Sequence, residues 1–260
     1  MTGRLETYLW RLRRNQHWLR LKALFLPNVV ILSHHRSGYQ WFRQICHANL
    51  YRHVVMPPGA RYQHYNVERM PANNKLDHNG ILLVRDGRDV VVSMYMSVTR
   101  DGPDGTRLWR NSDEAVTLSQ YLRSDAGALR DAARRVLARM TPAELWAKFN
   151  ADWFGNPNIV AVVRYEDLLG DQVAQIRKVR HAFGYDENER PPVVINLDFD
   201  RHGPTGGNLL RGYRRRGEGN WRRLFSAEDA EFFAERAGDT LRAFGYEVLS
   251  STPYTSSQSR

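Results

Sequence analysis

Apolar and polar positions follow one another along the chain as short strand-like runs and longer helix-like segments. Three runs of aliphatic and β-branched residues, at 29–32, 80–84 and 158–164, have the pattern of strands buried on both faces. Helical spacing is found at 41–46, 90–98, 172–183 and 227–244, with two or three further helices between Glu114 and Phe154. This alternation predicts an α/β fold in three layers, with a central parallel sheet flanked by helices.

Polar segments separate these elements, and the ligand-binding residues are expected in them. The segments 33–38, 52–79, 100–111 and 200–220 are rich in Gly, Pro, Asn, His or Arg and are interpreted as loops. Ligands bind at the carboxyl ends of parallel strands, where several of these loops begin. The length of 260 residues suits one large domain, assigned to 28–250, preceded by a helical extension 1–27 and followed by a flexible tail 251–260.

The formal charge of +10 suggests an anionic partner. Nucleic acid, anionic lipid, an acidic glycan and a multiply charged nucleotide all remain open on charge alone. Residues 4–25 have the pattern of a basic amphipathic helix, and two placements stay open, on an anionic membrane surface or packed on the domain. The single cysteine, Cys46, excludes an intramolecular disulfide and a multi-cysteine zinc site, and the first residues lack the pattern of a secretory signal, so a cytoplasmic protein is expected.

The loop Ser33–Trp41 stands between the first strand and its helix and has the features of a phosphate cradle. Backbone N–H groups at a helix N-terminus point toward a bound anion, Gly38 allows close approach, and Arg36 supplies positive charge. The spacing of an ATP-binding P-loop, G-x-x-x-x-G-K-[ST], is absent, which disfavours an ordinary kinase.

Two further motifs follow the second and third strands. Arg85 ends the second strand, and Ser93 lies eight positions later in the next helix, so that both side chains can converge on one phosphate. Tyr165 begins a Tyr-Glu-Asp-Leu segment at the end of the third strand.

These motifs resemble those of the PAPS-dependent sulfotransferase family (PAPS is 3′-phosphoadenosine 5′-phosphosulfate). Arg36-Ser37-Gly38 and Trp41 match the first signature of the family, while Tyr39 and Gln40 replace two threonines. The resemblance implies a P-loop NTPase-like nucleotide-binding core. It also implies that residues 36–41 hold the 5′-phosphate, that Arg85 and Ser93 bind the 3′-phosphate, and that Tyr165 approaches the adenosine.

Two later segments also match the family. Arg215, Arg216 and Gly217 correspond to its late Arg-Lys-Gly segment, which closes over the 3′-phosphate, although the stretch before Trp221 is one residue shorter here. Phe199 stands where the family places an aromatic ring against adenine. The cofactor-binding residues predicted in this way are Arg36, Ser37, Gly38, Tyr39, Gln40, Trp41, Arg85, Ser93, Tyr165, Phe199, Arg215, Arg216 and Gly217.

Sulfuryl transfer to a hydroxyl requires a base near the sulfur and a cation near the leaving oxygen. The resemblance implies Arg36 for the cation and His64, which stands 21 positions before Arg85, for the base. His53, Glu68 and His35 are alternative bases. No metal is expected, and the predicted partners are PAPS and a hydroxyl-bearing small molecule, lipid or glycan.

Three other functions are weighed against this one. A small-molecule kinase on the same architecture would bind ATP, which has no 3′-phosphate, so Arg85 and Ser93 would have no ligand. A basic nucleic-acid-binding protein would explain the charge but not the ordered motifs at three strand ends, and nucleic acid is therefore not expected as a partner. A non-catalytic PAPS binder is suggested by Tyr39, Gln40 and the shortened late segment.

Overall fold

The computed structural model describes residues 29–50, 54–55, 79–125, 140–186, 190–195 and 218–248. Several predictions fall on other residues and lie outside the described part: the helix 4–25, the tail 251–260, His53, His64, Glu68, Phe199 and Arg215–Gly217.

The described part is built around a four-stranded parallel sheet. Its strands are β1 (Val29–Ser33), β2 (Val54–Val55), β3 (Gly80–Val84) and β6 (Ile159–Arg164). They lie in the order β2-β1-β3-β6, with Ile31 opposite Ile81 and Leu82 opposite Val162. The three apolar runs of the sequence thus form three adjacent strands of one sheet.

Seven α-helices accompany the sheet in the described ranges. They are α1 (Tyr39–Asn49), α2 (Gly87–Val98), α3 (Leu118–Arg123), α4 (Pro142–Phe154), α5 (Tyr165–Gly170), α6 (Gln172–Ala182) and α7 (Ala227–Ala243). Helices α3, α4 and α7 each begin with a capping box, formed by Thr117, Thr141 and Ser226 with the residue three positions later. Within the described ranges, no helix combines the length and the apolarity needed to cross a bilayer.

Helices cover both faces of the sheet because its strands are apolar on both sides. Val30, Leu32 and Leu82 face a core formed with α2, α4 and α7. Ile31 and Ile81, which alternate with them, face a second core formed with α1 and α6. The prediction of a single three-layer α/β fold with a central parallel sheet flanked by helices is confirmed.

Two of the segments interpreted as loops contain strands. The segment 100–111 lies largely in an antiparallel hairpin of β4 (Thr99–Asp101) and β5 (Arg107–Trp109), joined by a 3-10 turn at Pro103–Gly105. Strands of three residues are too short to give a clear periodic pattern, and the turn residues dominate the composition. The segment 52–79 likewise contains the two-residue strand β2.

Helix α2 starts three residues earlier than the apolar pattern predicts, at Gly87 rather than Val90. The carboxylate of Asp86 accepts a hydrogen bond from the N–H of Arg88 and so caps the helix at this earlier position. Only Asp86 therefore separates Arg85 from the first residue of the helix.

Candidate active site

The topology places a crevice between β1 and β3. The chain that leaves the carboxyl end of β1 leads to β2 on one side, whereas the chain that leaves β3 leads to β6 on the other, so the loops after β1 and β3 separate at this point. Arg36 follows β1 and Arg85 follows β3. Nη1 of Arg85 donates a hydrogen bond to the backbone carbonyl of Arg36 at 3.0 Å. The first two predicted motifs therefore meet at the position where α/β proteins bind their ligands.

The loop after β1 turns tightly and leads directly into α1. The N–H of Ser37 donates to the carbonyl of His34 at 3.2 Å, and both Arg36 (φ 68°) and Gly38 (φ 88°) have left-handed backbone conformations. The N–H groups of Trp41 and Phe42 donate to the Gly38 carbonyl at 3.1 Å. The N–H groups just before them precede the hydrogen-bonded part of the helix, so this end of α1 can receive an anion.

Tyr165 lies directly against this loop. A Cβ atom added at Gly38 would stand only 2.5 Å from the Tyr165 ring, so glycine is required for this approach as well as for its backbone conformation. The Arg85 guanidinium lies over the same ring, with Cζ 4.7 Å from its centroid, and Trp41 meets it edge-on at 5.8 Å. Residues of all three strand-end motifs are therefore packed together around one aromatic ring.

The late segment of the chain docks on α2 through Asp89. The Asp89 carboxylate accepts hydrogen bonds from the N–H of Gly219 at 2.7 Å and from the N–H of Trp221 at 3.0 Å. Burial raises the pKa of Asp89, whereas the charge of Arg85 and these two N–H groups oppose the rise. Ser93, which is half-buried, lies one helical turn from Asp89 on the same face of α2. The residues that follow Gly217 thus contact the helix that carries Ser93.

Buried polar groups hold the end of β3 in place. The guanidinium of Arg88 forms two hydrogen bonds with the Asp86 carboxylate, at 2.9 and 2.7 Å, and lies 3.8 Å over the Trp221 ring. Glu166 accepts hydrogen bonds from the N–H of Asp86 at 3.0 Å and from the hydroxyl of Tyr246 at 2.7 Å. Burial raises the pKa of Glu166, against the effect of these hydrogen bonds.

Sequence reasoning did not single out Tyr121, which belongs to the surroundings of Arg36. Its side chain is fully buried on α3, against the rings of Tyr95 and Trp109. Burial raises the pKa of the Tyr121 hydroxyl, and the charge of Arg36 opposes the rise. The hydroxyl has no hydrogen-bond partner among the described residues. No local sequence pattern distinguishes such a tyrosine from an ordinary core residue.

The remaining predicted residues of the first motif have different environments. Ser37 and Trp41 are buried, Tyr39 is half-buried, and Gln40 is exposed. His35, an alternative base, is half-buried in the loop after β1. In the described ranges, no group of three His, Cys, Asp or Glu side chains is arranged to hold a metal ion.

Comparison with known proteins places the chain in a family. The family model described as the sulfotransferase domain matches residues 57–245. The match includes Arg85, Ser93, Tyr165 and the segment 215–217, while the loop 33–41 precedes it. The crystal structure of mouse sulfotransferase SULT7A1 complexed with PAP matches 83% of this chain and 85% of that chain, with a TM-score of 0.51 and 18% sequence identity. This likeness shows the shared fold. No curated protein matches the sequence. The prediction of a PAPS-dependent sulfotransferase is thus confirmed at the level of the family, and the chain belongs to the sulfotransferase domain family.

Proposed function

We propose that this enzyme transfers the sulfuryl group of PAPS to a hydroxyl of an acceptor and releases adenosine 3′,5′-bisphosphate (PAP). The acceptor is a small molecule, a lipid or a glycan. The observation that carries the proposal is the contact between Arg85 and the Arg36 carbonyl, because it joins the two basic strand-end motifs at the crevice. The mouse protein of the same fold has PAP in its crystal structure, which supports the same nucleotide here.

The nucleotide is proposed to lie across the carboxyl ends of β1, β3 and β6. The N–H groups at the start of α1 bind the 5′-phosphate, and Arg85 and Ser93 bind the 3′-phosphate. Tyr165 contacts the adenosine, as its position against Gly38 and Trp41 supports.

The other predicted contacts lie outside the described residues. Arg215, Arg216 and Gly217 are proposed to close over the 3′-phosphate, and Phe199 to stack on the adenine. The two hydrogen bonds from Gly219 and Trp221 to Asp89 support the first of these assignments, since they bring the end of that segment to α2.

The reaction proposed is an in-line displacement at sulfur. The acceptor oxygen forms a bond to sulfur while the bond from sulfur to the bridging oxygen breaks, and the electron pair of that bond passes to the 5′-phosphate. Arg36 stabilises the negative charge that develops on the leaving oxygen, and His64 accepts the proton of the acceptor hydroxyl. Alignment and electrostatics supply the catalysis, as in phosphoryl transfer, and no metal is required by this scheme.

Calorimetric titration of the purified protein tests the choice of nucleotide. We expect PAP to bind far more tightly than ATP or AMP, because only PAP carries a phosphate on both ribose positions that the motifs address. Preferential binding of ATP would favour a kinase instead. Steep salt dependence without selectivity for the 3′-phosphate would favour a nucleic-acid-binding protein.

Incubation with radiolabelled PAPS and cell extract tests the transfer. Label should appear in a sulfate ester, whose identification gives the acceptor. Tight PAP binding without transfer to any extract component would favour a non-catalytic PAPS binder.

Two further expectations remain predictions: a cytoplasmic location, and contact of residues 4–25 with anionic membranes. Co-sedimentation of the protein with anionic vesicles tests the second.

A further inference from the structure

The segment 190–195 is held in the structure by the side-chain amides of two helices. Nδ2 of Asn49, on α1, donates to the carbonyl of Val193 at 2.8 Å, and its Oδ1 accepts from the N–H of Val193 at 2.7 Å. Nε2 of Gln172, on α6, donates to the carbonyl of Ile195 at 3.3 Å, and its Oε1 accepts from the N–H of Ile195 at 2.7 Å. Each amide therefore bonds both backbone groups of one residue, as a neighbouring strand would.

The carbonyl of Ile195 has a second donor, which is Trp41. The indole Nε1 of Trp41 donates to it at 2.8 Å, and a carbonyl oxygen has two lone pairs for two such bonds. Trp41 stands in the first turn of α1, next to the proposed phosphate-binding N–H groups, and contacts the Tyr165 ring. Gln172 and Trp41 thus share one backbone carbonyl, although they belong to different helices.

We propose that Gln172 is a positioning residue for the nucleotide base. It fixes the carbonyl of Ile195, which in turn fixes the plane of the Trp41 indole beside Tyr165. This inference rests on the proposed function, in which adenosine lies against Tyr165. Asn49 holds the backbone of Val193, two residues earlier in the same segment, and so helps to keep the Ile195 carbonyl within hydrogen-bond distance of Trp41.

The proposal assigns base selectivity to a residue that touches neither phosphate nor base. A general weakening of the site would reduce the affinity for every nucleoside 3′,5′-bisphosphate. Loss of a fixed indole plane reduces the affinity for adenine more than that for uracil, because the two fused rings of a purine stack over a larger area than the single ring of uracil. The ratio of the two affinities therefore separates positioning from general stability.

The test is the variant Gln172→Ala, titrated with adenosine 3′,5′-bisphosphate and with uridine 3′,5′-bisphosphate. We expect the affinity for the adenosine compound to fall roughly three- to tenfold, because the variant loses both hydrogen bonds to Ile195, and the affinity for the uridine compound to stay unchanged. Gln175→Ala is the matched control, since it makes the same change one turn along α6, where Oε1 has no partner among the described residues. This control should bind both compounds like the wild type.

Trp41→Phe provides a second variant, in which a phenyl ring replaces the indole and the hydrogen bond from Nε1 to the Ile195 carbonyl is lost. It should lose adenine selectivity as well, and the double variant should lose no more than either single one, since both act through one carbonyl. An unchanged affinity ratio in Gln172→Ala, or an equal loss for both compounds, overturns the proposal. A wild-type protein that binds neither compound overturns the proposed function instead, whereas equal binding of both compounds by the wild type overturns only the positioning role.

Discussion

Arg85 donates a hydrogen bond to the backbone carbonyl of Arg36, so the residue proposed to bind the 3′-phosphate also holds the loop proposed to bind the 5′-phosphate. A guanidinium has five N–H donors and can satisfy both partners at once, while a lysine ammonium at the same position is a single point charge. The two ends of the nucleotide are therefore expected to depend on each other through this side chain.

The first prediction concerns Arg85 itself. Arg85→Ala should lower the affinity for PAP roughly ten- to hundredfold, the loss typical of a hydrogen bond to a charged group. The affinity for AMP, which lacks the 3′-phosphate, should fall less, and Arg85→Lys should recover part of the loss. Equal losses of affinity for PAP and for AMP would mean that Arg85 does not bind the 3′-phosphate.

A second prediction separates the transfer step from nucleotide binding. Arg36→Ala and His64→Ala should each lower turnover by at least about a hundredfold, by analogy with the loss of a single oxyanion-stabilising donor. The rate of PAP release from PAPS measures the effect. Arg177→Ala and His181→Ala, at exposed positions on α6, are matched controls and should retain wild-type turnover. A near-normal rate in either test variant would exclude that residue from the mechanism.

Gly38 provides a prediction on stability. Gly38→Ala places a Cβ in a left-handed conformation, which costs about 1–2 kcal/mol for an L-residue, and pushes it against the Tyr165 ring. The free energy of unfolding in urea should fall by at least that amount, together with PAP affinity. Gly155→Ala is the control, since the added Cβ meets no atom within 4 Å and the backbone has φ −89°. A fully stable, PAP-binding Gly38→Ala variant would contradict the close contact with Tyr165.

The raised pKa of Glu166 predicts that the stability of the protein depends on pH. Burial raises its pKa in the folded protein, so the folded state binds more protons than the unfolded state. The contribution of Glu166 to the free energy of unfolding therefore falls as the pH rises from the ordinary glutamate pKa of about 4.3 through the raised value, and is constant above it. Glu166→Gln removes this dependence.

The measurement is urea unfolding of both proteins across the acidic pH range. The difference in unfolding free energy, variant minus wild type, should increase with pH through that window. A difference that decreases with pH would mean that the pKa of Glu166 is lowered by its donors, Tyr246 and the N–H of Asp86.

Two neighbouring tyrosines should differ in how the loss of the hydroxyl affects the stability of the protein. The Tyr95 hydroxyl donates to the carbonyl of Val116 at 2.8 Å, so Tyr95→Phe should lower the free energy of unfolding by about 1 kcal/mol. The Tyr121 hydroxyl is buried without a partner among the described residues, so Tyr121→Phe should leave the stability unchanged or raise it. Thermal unfolding of both variants decides this, and a destabilised Tyr121→Phe would reveal a partner within the protein.

The features of the fold that the sequence predicts are those encoded by neighbouring residues. The strands β1, β3 and β6 are continuous apolar runs, and the residues at their ends carry motifs with fixed local spacing. The hairpin at Thr99–Trp109 was missed because its strands are short and its side chains alternate over only three residues.

The site contacts that the sequence does not predict join residues far apart in the chain. Asp89 contacts Gly219 across 130 positions, and Glu166 contacts Tyr246 across 80. From the sequence alone, Asp89 is explained by its place near the start of a helix, where a negative charge interacts favourably with the helix dipole. Its second role appears only when the fold brings the later segment against α2.

The crevice between β1 and β3 owes its existence to strand order rather than to any basic side chain. Descendants of this chain could lose every arginine proposed to bind the nucleotide and still fold with an intact groove at the same edge of the sheet. Divergence toward a new ligand would then need only replacement of loop side chains, because the scaffold beneath them is maintained by the two apolar cores.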